Sequence, residues 1–159
     1  MKIMNKFQKK LTNRKEDNKG FSLVELIIVI AIMAILVGIV GTQVIPYINK
    51  SKVAKDQQVL NSISTAAVAA YSENGATSDM TIDVFAAAPA DATQAKIQAD
   101  IKTASGYSDL AAFKKALGSD AGSKVTAVKV KFDTATHKAT TSVTPVDAKY
   151  PIKDVEATL

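Results

Sequence analysis

The first part of the chain is marked by a long, uninterrupted run of apolar residues. All fifteen residues from Leu26 to Val40 are apolar or glycine, and no charged residue occurs in the 24 residues from Leu26 to Asn49. A hydrocarbon core about 30 Å thick requires roughly 20 helical residues to cross it. The pattern therefore predicts one membrane-spanning helix near the N-terminus.

After this run, apolar residues recur at helical spacing on one face. The residues with this spacing are Val53, Leu60, Ile63, Ala67, Ala70 and Tyr71. The polar residues expected mostly on the solvated faces are Lys52, Lys55, Asp56, Gln57, Ser62 and Glu73. This period predicts an amphipathic helix, and Asn74-Gly75 is a suitable C-cap. We expect one helix from Ser22 to Glu73, apolar all round in its first half and amphipathic in its second.

Pro46 lies between the two halves of this predicted helix. A proline inside a helix removes one hydrogen bond and clashes with the preceding turn. Helical periodicity resumes directly after Pro46, so the sequence predicts a kink within a continuing helix. The alternative is that Pro46 ends the membrane helix.

Two short helices are predicted in the second part of the chain. One is capped by Asp91 and extends to Lys102, and the other is capped by Ser108 and precedes Gly118. In the second of these, Leu110, Phe113 and Leu117 share one face.

Strand patterns follow the two short helices. Alternating apolar residues predict a β-hairpin of residues 128–132 and 138–144. The residues expected to be buried are Val128, Val130, Phe132 and Val143. A further strand is expected within residues 80–85, and prolines in the tail restrict any strand there to a sheet edge. The fold class predicted is α+β, with an antiparallel sheet packed on the amphipathic half of the long helix.

Charge is distributed unevenly along the chain. Residues 1–20 hold seven basic and two acidic residues, a net charge of +5, whereas residues 21–159 hold thirteen of each. A basic flank before an apolar run is typical of the cytoplasmic side of a membrane helix. The leader therefore indicates topology, and nucleic acid is not an expected partner. Lys129 and Lys131 are interpreted as a solvated sheet face, with contact to anionic DNA or a host surface as the minor alternative.

The sequence offers no catalytic or metal-binding constellation. It contains no cysteine and a single histidine, His137, in a polar loop of the predicted hairpin. Disulfides and cysteine-based zinc sites are excluded by the composition, and no calcium-loop or phosphate-loop motif is present. We therefore expect no enzyme activity, no cofactor and no metal.

Glu25 is a carboxylate at the start of the apolar run. At mid-membrane such a charge costs about 2.5–3.5 kcal/mol, and less near the edge. One interpretation is that Glu25 reaches back to the interface and favours the positive helix end. An ordinary membrane anchor fits the length of the run without explaining Glu25, and an ordinary signal peptide has a shorter run.

The residues around Glu25 resemble a known processing motif. The stretch Lys19-Gly20-Phe21-Ser22-Leu23-Val24-Glu25, followed by the apolar run, is similar to the processing site of type IV prepilins and related pseudopilins. The resemblance covers residues 1–50 closely. It implies that a prepilin peptidase cuts between Gly20 and Phe21 and that Phe21 becomes the N-methylated first residue. It also implies that Glu25 pairs with the terminal amine of a neighbouring subunit during assembly.

The resemblance implies three regions. Residues 1–20 form a leader that is removed, residues 21–46 form the transmembrane and filament-core half of the helix, and residues 47–159 form a globular head. The expected function is that of a structural subunit of a type IV pilus. Its partners are copies of itself in a helical polymer, the peptidase, the assembly machinery and, before assembly, the membrane.

Two other functions stay open. A pseudopilin of a type II secretion or competence system shares the same motif, and a membrane-tethered enzyme or binding domain needs only the anchor. Secretion pseudopilins usually carry a calcium loop near the C-terminus, which the tail here does not clearly supply. The expected location is the cytoplasmic membrane and then an extracellular pilus. Cysteine-free heads are common among pilins of Gram-positive bacteria, which favours that source.

Overall fold

The computed structural model describes residues 20–159, so the predicted leader lies outside the described residues except for Gly20. The helical elements are α1 (Leu23–Ile39), a π-helical turn (Val40–Val44), α2 (Ile45–Glu73), α3 (Ala92–Ser105), α4 (Leu110–Ala116) and α5 (Asp120–Ser123). The strands are β1 (Met80–Asp83), β2 (Ala127–Asp133), β3 (Lys138–Thr144) and β4 (Val155–Thr158). The described residues fall into two units, residues 20–42 and Gln43–Leu159.

Helix α1 is the main described element of the first unit. Within Leu23–Ile39 no side chain is buried, although nearly every residue is apolar. An α-helix satisfies its backbone hydrogen bonds internally, which is what a segment surrounded by lipid requires. The predicted apolar helix is confirmed.

Helix α2 supplies one wall of the core of the second unit. It packs against α3 and against strands β3 and β4. Its buried apolar residues are Leu60, Ile63, Ala66, Ala67, Ala70 and Tyr71, and Val53 is partly buried. The predicted amphipathic face is therefore confirmed. The ring of Tyr71 stacks on that of Phe132 with centroids 4.5 Å apart, which joins the helix to the sheet.

The sheet is antiparallel throughout, in the order β1-β2-β3-β4. Strands β2 and β3 pair over seven residues and form the predicted hairpin. Because side chains alternate across a strand, the four predicted core residues point inward together and are buried. His137 is exposed in the hairpin loop, as expected. Strand β4 lies at one edge, where the prolines of the tail had restricted it.

The helix ends follow local capping chemistry, with one correction. Asp91 caps α3 by accepting a hydrogen bond from the Gln94 N–H at 2.8 Å, as predicted. The predicted cap of α4, Ser108, is wrong by one residue. Asp109 is the cap, since its carboxylate accepts from the Ala112 N–H at 2.8 Å, while the Ser108 hydroxyl donates to Asp109. A carboxylate at this position also favours the positive end of the helix.

Helix α2 ends in the predicted Asn74-Gly75 cap. Gly75 has a φ of +61°, which favours glycine because it has no Cβ. The Gly75 N–H donates to the Ser72 carbonyl and the Ala76 N–H to the Tyr71 carbonyl. This pair of bonds is a Schellman motif, which satisfies carbonyls that the helix end would leave unpaired.

Asp56 was expected on the solvated side of α2, and that expectation is wrong. Its side chain is fully buried and accepts hydrogen bonds from the Gly118 N–H at 2.7 Å, the Ser119 N–H at 3.1 Å and the Ser119 hydroxyl. A buried carboxylate is tolerated only when its oxygens are hydrogen-bonded. Asp56 therefore fixes the loop between α4 and α5 to the long helix.

Candidate functional site

The predicted cleavage site lies immediately before helix α1. Gly20 and Phe21 are outside any helix or strand, and the Phe21 side chain is 86% exposed. A peptidase needs an accessible, extended substrate backbone, and helical residues do not provide one. The position of the site is therefore compatible with cleavage between these two residues.

Ser22 and Glu25 form a capping box at the start of α1. Ser22 has an extended backbone, and its hydroxyl accepts from the Val24 N–H at 3.3 Å. The Glu25 carboxylate accepts from the Ser22 N–H at 2.9 Å. Together they satisfy donors that a helix N-terminus otherwise leaves unpaired.

The capping box was not part of the sequence prediction, although its Ser-x-x-Glu spacing before an apolar run is a recognised signal. It gives Glu25 a role within its own chain, next to the positive end of the helix. The carboxylate thus has one hydrogen-bonded partner before any neighbouring subunit is present.

Beyond Glu25, the surface of α1 is an apolar sleeve, which we define as the exposed apolar side chains of residues 26–40. Most of these side chains are about half exposed. The helical segment Leu23–Glu73 is long and apolar enough to cross a membrane by its length and composition. An exposed apolar surface of this extent marks a contact with lipid or with other protein.

Pro46 is the second residue of α2, directly after the π-helical turn. The first turn of a helix tolerates proline, because its missing N–H would have no partner there. Helical structure continues beyond Pro46, which favours the continuing helix over an end at this residue. The kink itself stays a prediction.

The tail of the chain is fixed by polar contacts in place of a covalent link. The Gln57 amide donates to the Lys153 carbonyl at 2.7 Å and accepts from the Lys153 N–H at 2.9 Å. Asp147 accepts from the N–H groups of Tyr150 at 2.8 Å and Lys149 at 2.9 Å. These two bonds, with a weaker contribution from Lys124, hold the pKa of Asp147 below its ordinary value.

Within residues 20–159, no group of three His, Asp or Glu side chains is placed to hold a metal ion. Two carboxylates near the tail instead contact protein donors. Glu156 pairs with Lys138 at 2.8 Å, and Asp147 lies 3.5 Å from the Lys124 ammonium.

Comparison with known families places the site in a defined class. Residues 17–41 match the family model of the prokaryotic N-terminal methylation motif. This motif is the hallmark of type IV pilin and prepilin-like proteins. The chain therefore carries the N-terminal motif of type IV pilin-like proteins, a class that includes pseudopilins. No curated protein matches the chain, and no solved structure matches it.

The fold agrees with this class. A long apolar helix at the N-terminus, a four-stranded antiparallel sheet and short helices make up an α+β, pilin-like architecture. Proteins with this motif are structural subunits and not enzymes. The motif indicates membrane insertion followed by a place in a surface filament, with processing by a prepilin peptidase in general.

Proposed function

We propose that this protein is a structural subunit of a type IV pilus, cut after Gly20 and polymerised through its apolar helix. The observation that carries the proposal is the methylation motif at the head of an apolar helix with no buried side chain, in a chain whose second unit has its own buried core. Such a head needs no help from the apolar helix to bury its core. The helix is then available for lipid before assembly and for other subunits afterwards.

The roles of the site residues follow from their chemistry. Cleavage after Gly20 creates a cationic amine on Phe21, within one helical turn of Glu25. In a filament core of packed apolar helices, neither charge is tolerable unpaired. We propose that Phe21 is N-methylated and that Glu25 exchanges its contact with the Ser22 N–H for the amine of a neighbouring subunit.

A pilin is favoured over a pseudopilin by the state of the tail. Two of its three carboxylates, Asp147 and Glu156, are already engaged by Lys124, Lys138 and backbone N–H groups. Their oxygens do not point to one common position, as the calcium loop of a secretion pseudopilin requires. The proposed source is a Gram-positive bacterium, because the chain contains no cysteine and cysteine-free heads are common among pilins of those bacteria.

Immunogold electron microscopy of producing cells, with antibody raised against residues 76–159, tests the proposal. Label along long fibres is the expected result and identifies a major pilin. Label confined to fibre tips identifies a minor pilin. Label only on the cell membrane, with no labelled fibre, contradicts a filament subunit and favours a pseudopilin or an anchored domain.

A further inference from the structure

The first turns of α2 carry a cluster of cations that the filament function does not by itself require. Lys50, Lys52 and Lys55 are the first charged residues after the 24-residue uncharged run, and all three are exposed. We call these three lysines the basic collar. In the part of the chain that the structure describes, none of their ammonium groups forms an ion pair.

The neighbouring acid does not neutralise the collar. Asp56 is turned into the core, where its oxygens accept bonds from Gly118 and Ser119. The collar therefore presents three positive charges on the solvated sides of one short helical stretch. A rise of 1.5 Å per residue spreads it over about 7.5 Å along the axis.

Tyr47 adds an aromatic group to the same surface. Its side chain is 74% exposed, and the Lys50 Nζ lies 5.8 Å from the centroid of its ring. Residues three apart on a helix are neighbours on one face. An exposed tyrosine and a lysine at the end of an apolar run are typical of the membrane–water interface, where both have an apolar body and a polar end.

The position of the collar runs against the usual charge bias of membrane helices. Basic residues concentrate on the cytoplasmic flank, and here residues 1–20 already provide that bias with a net charge of +5. The collar follows the span and so falls on the opposite flank. Topology gives no reason for three lysines there, which points to a specific anionic contact.

We propose that Tyr47 and the basic collar bind the phosphate groups of anionic phospholipids in the outer leaflet and hold the subunit at a fixed depth before assembly. The headgroup layer of a leaflet is about 5–7 Å thick, which matches the axial spread of the collar. Each lysine ammonium near an anionic membrane surface raises the affinity for that surface about fivefold. The inference rests on the proposed function in one respect: the subunit lies in a membrane before it enters a filament.

The test uses the full chain reconstituted in phosphatidylcholine nanodiscs with increasing proportions of phosphatidylglycerol. Electron spin resonance of spin-labelled phosphatidylglycerol measures the lipid that the protein immobilises. Replacing all three collar lysines with glutamine should raise the phosphatidylglycerol fraction needed for half-saturation about tenfold or more. Replacing them with arginine should leave it unchanged, and high salt should lower the selectivity of the unmodified chain.

A matched control removes three exposed lysines of the head, Lys96, Lys115 and Lys129, by the same change to glutamine. The control leaves the leader and the collar intact, so its lipid selectivity should equal that of the unmodified chain. Equal selectivity in the collar variant and the control overturns the inference. Loss of fibres from the collar variant with unchanged lipid selectivity also overturns it, because the lysines then contact another subunit.

Failure of the proposed function is detected separately. The collar variant should still be cut after Gly20, since its motif is unchanged. An unmodified chain that stays uncut in cells but keeps its full lipid selectivity would contradict the pilin assignment and leave the lipid contact standing.

Discussion

Gln57 and Lys153 are 96 residues apart in sequence, yet two hydrogen bonds join them. The side-chain amide of Gln57 presents a donor and an acceptor to one residue of main chain, much as a neighbouring strand would. With Ile152 buried beside it, this contact attaches the tail to helix α2 just before β4 begins. The arrangement fixes the tail without a cysteine.

Replacing Gln57 with alanine should loosen the tail. Two hydrogen bonds are lost, so we expect unfolding to become easier by about 1–3 kcal/mol in chemical denaturation. Amide hydrogen exchange should rise first at Lys153 and in β4. The control is alanine at Gln58, the exposed next residue, which should change neither quantity. Unchanged exchange in β4 would show that the Gln57 contact does not hold the tail.

Asp147 makes the stability of the tail depend on pH in the acid range. Its pKa is lowered in the folded protein, chiefly by the Tyr150 and Lys149 N–H groups, relative to an ordinary value of 3.8. Its contribution to stability is therefore complete above the ordinary value and is lost as the pH falls through the lower, folded value.

Changing Asp147 to asparagine should remove part of this acid sensitivity. The variant should be less stable than the unmodified chain at neutral pH, and the difference should shrink below about pH 4. Thermal unfolding measured across this range gives the comparison, with Asp154→Asn as a nearby exposed control. A stability difference that is independent of pH would contradict the role given to the carboxylate.

Gly122 is required by close packing around Asp56. A Cβ at this position would lie 2.6 Å from the Leu117 Cβ and 2.7 Å from an Asp56 carboxylate oxygen. Gly122→Ala should therefore destabilise the head by about 1–3 kcal/mol, the usual cost of overpacking. Gly118→Ala is the control, because its nearest atom would be an Asp56 oxygen at 4.0 Å. Equal stability of the two variants would show that the site can relax.

The parts of this fold that could be predicted are those in which apolar residues recur at a short, regular spacing. The apolar face of α2 and the alternating hairpin follow from spacings of three to four and of two residues. The burial of Asp56 was not predicted, because a charged residue was expected to be solvated. Its spacing from Leu60 and Ile63 nevertheless places it on the buried face. Its partners, Gly118 and Ser119, are 62 and 63 residues away, and no local sequence pattern predicts such a contact.

The candidate site was predicted only in part. The motif around Gly20 and Glu25 is local and was found from the sequence. The capping box was overlooked because Glu25 was considered for its charge alone, and Ser22 only as part of the motif. The sequence prediction named Ser108 and missed Asp109. Two good capping residues stand next to each other, and backbone geometry decides between them.

Replacing Glu25 with glutamine separates its two roles. A Ser-x-x-Gln sequence also makes a capping box, so the start of α1 should stay intact. The charge is removed, and leaving a buried amine unpaired costs about 3–5 kcal/mol. That equals about two to four orders of magnitude in the equilibrium for adding a subunit.

We therefore expect the Glu25→Gln chain to be inserted and cut but to form few or no fibres. Electron microscopy and sheared-fibre yield measure the effect. Glu73→Gln, which removes an exposed carboxylate at the end of α2, should form normal fibres. Abundant fibres built only from the Glu25→Gln chain would contradict the charge pair and leave Glu25 as a helix-capping residue.

The mass of the chain in fibres sheared from producing cells tests whether this protein is a processed filament subunit. We expect a subunit that lacks residues 1–20 and begins at N-methylated Phe21. We also expect Gly20→Val to leave the full-length chain in the membrane. Surface fibres that retain residues 1–20, or normal cleavage of the Gly20→Val chain, would contradict the assignment as a processed filament subunit.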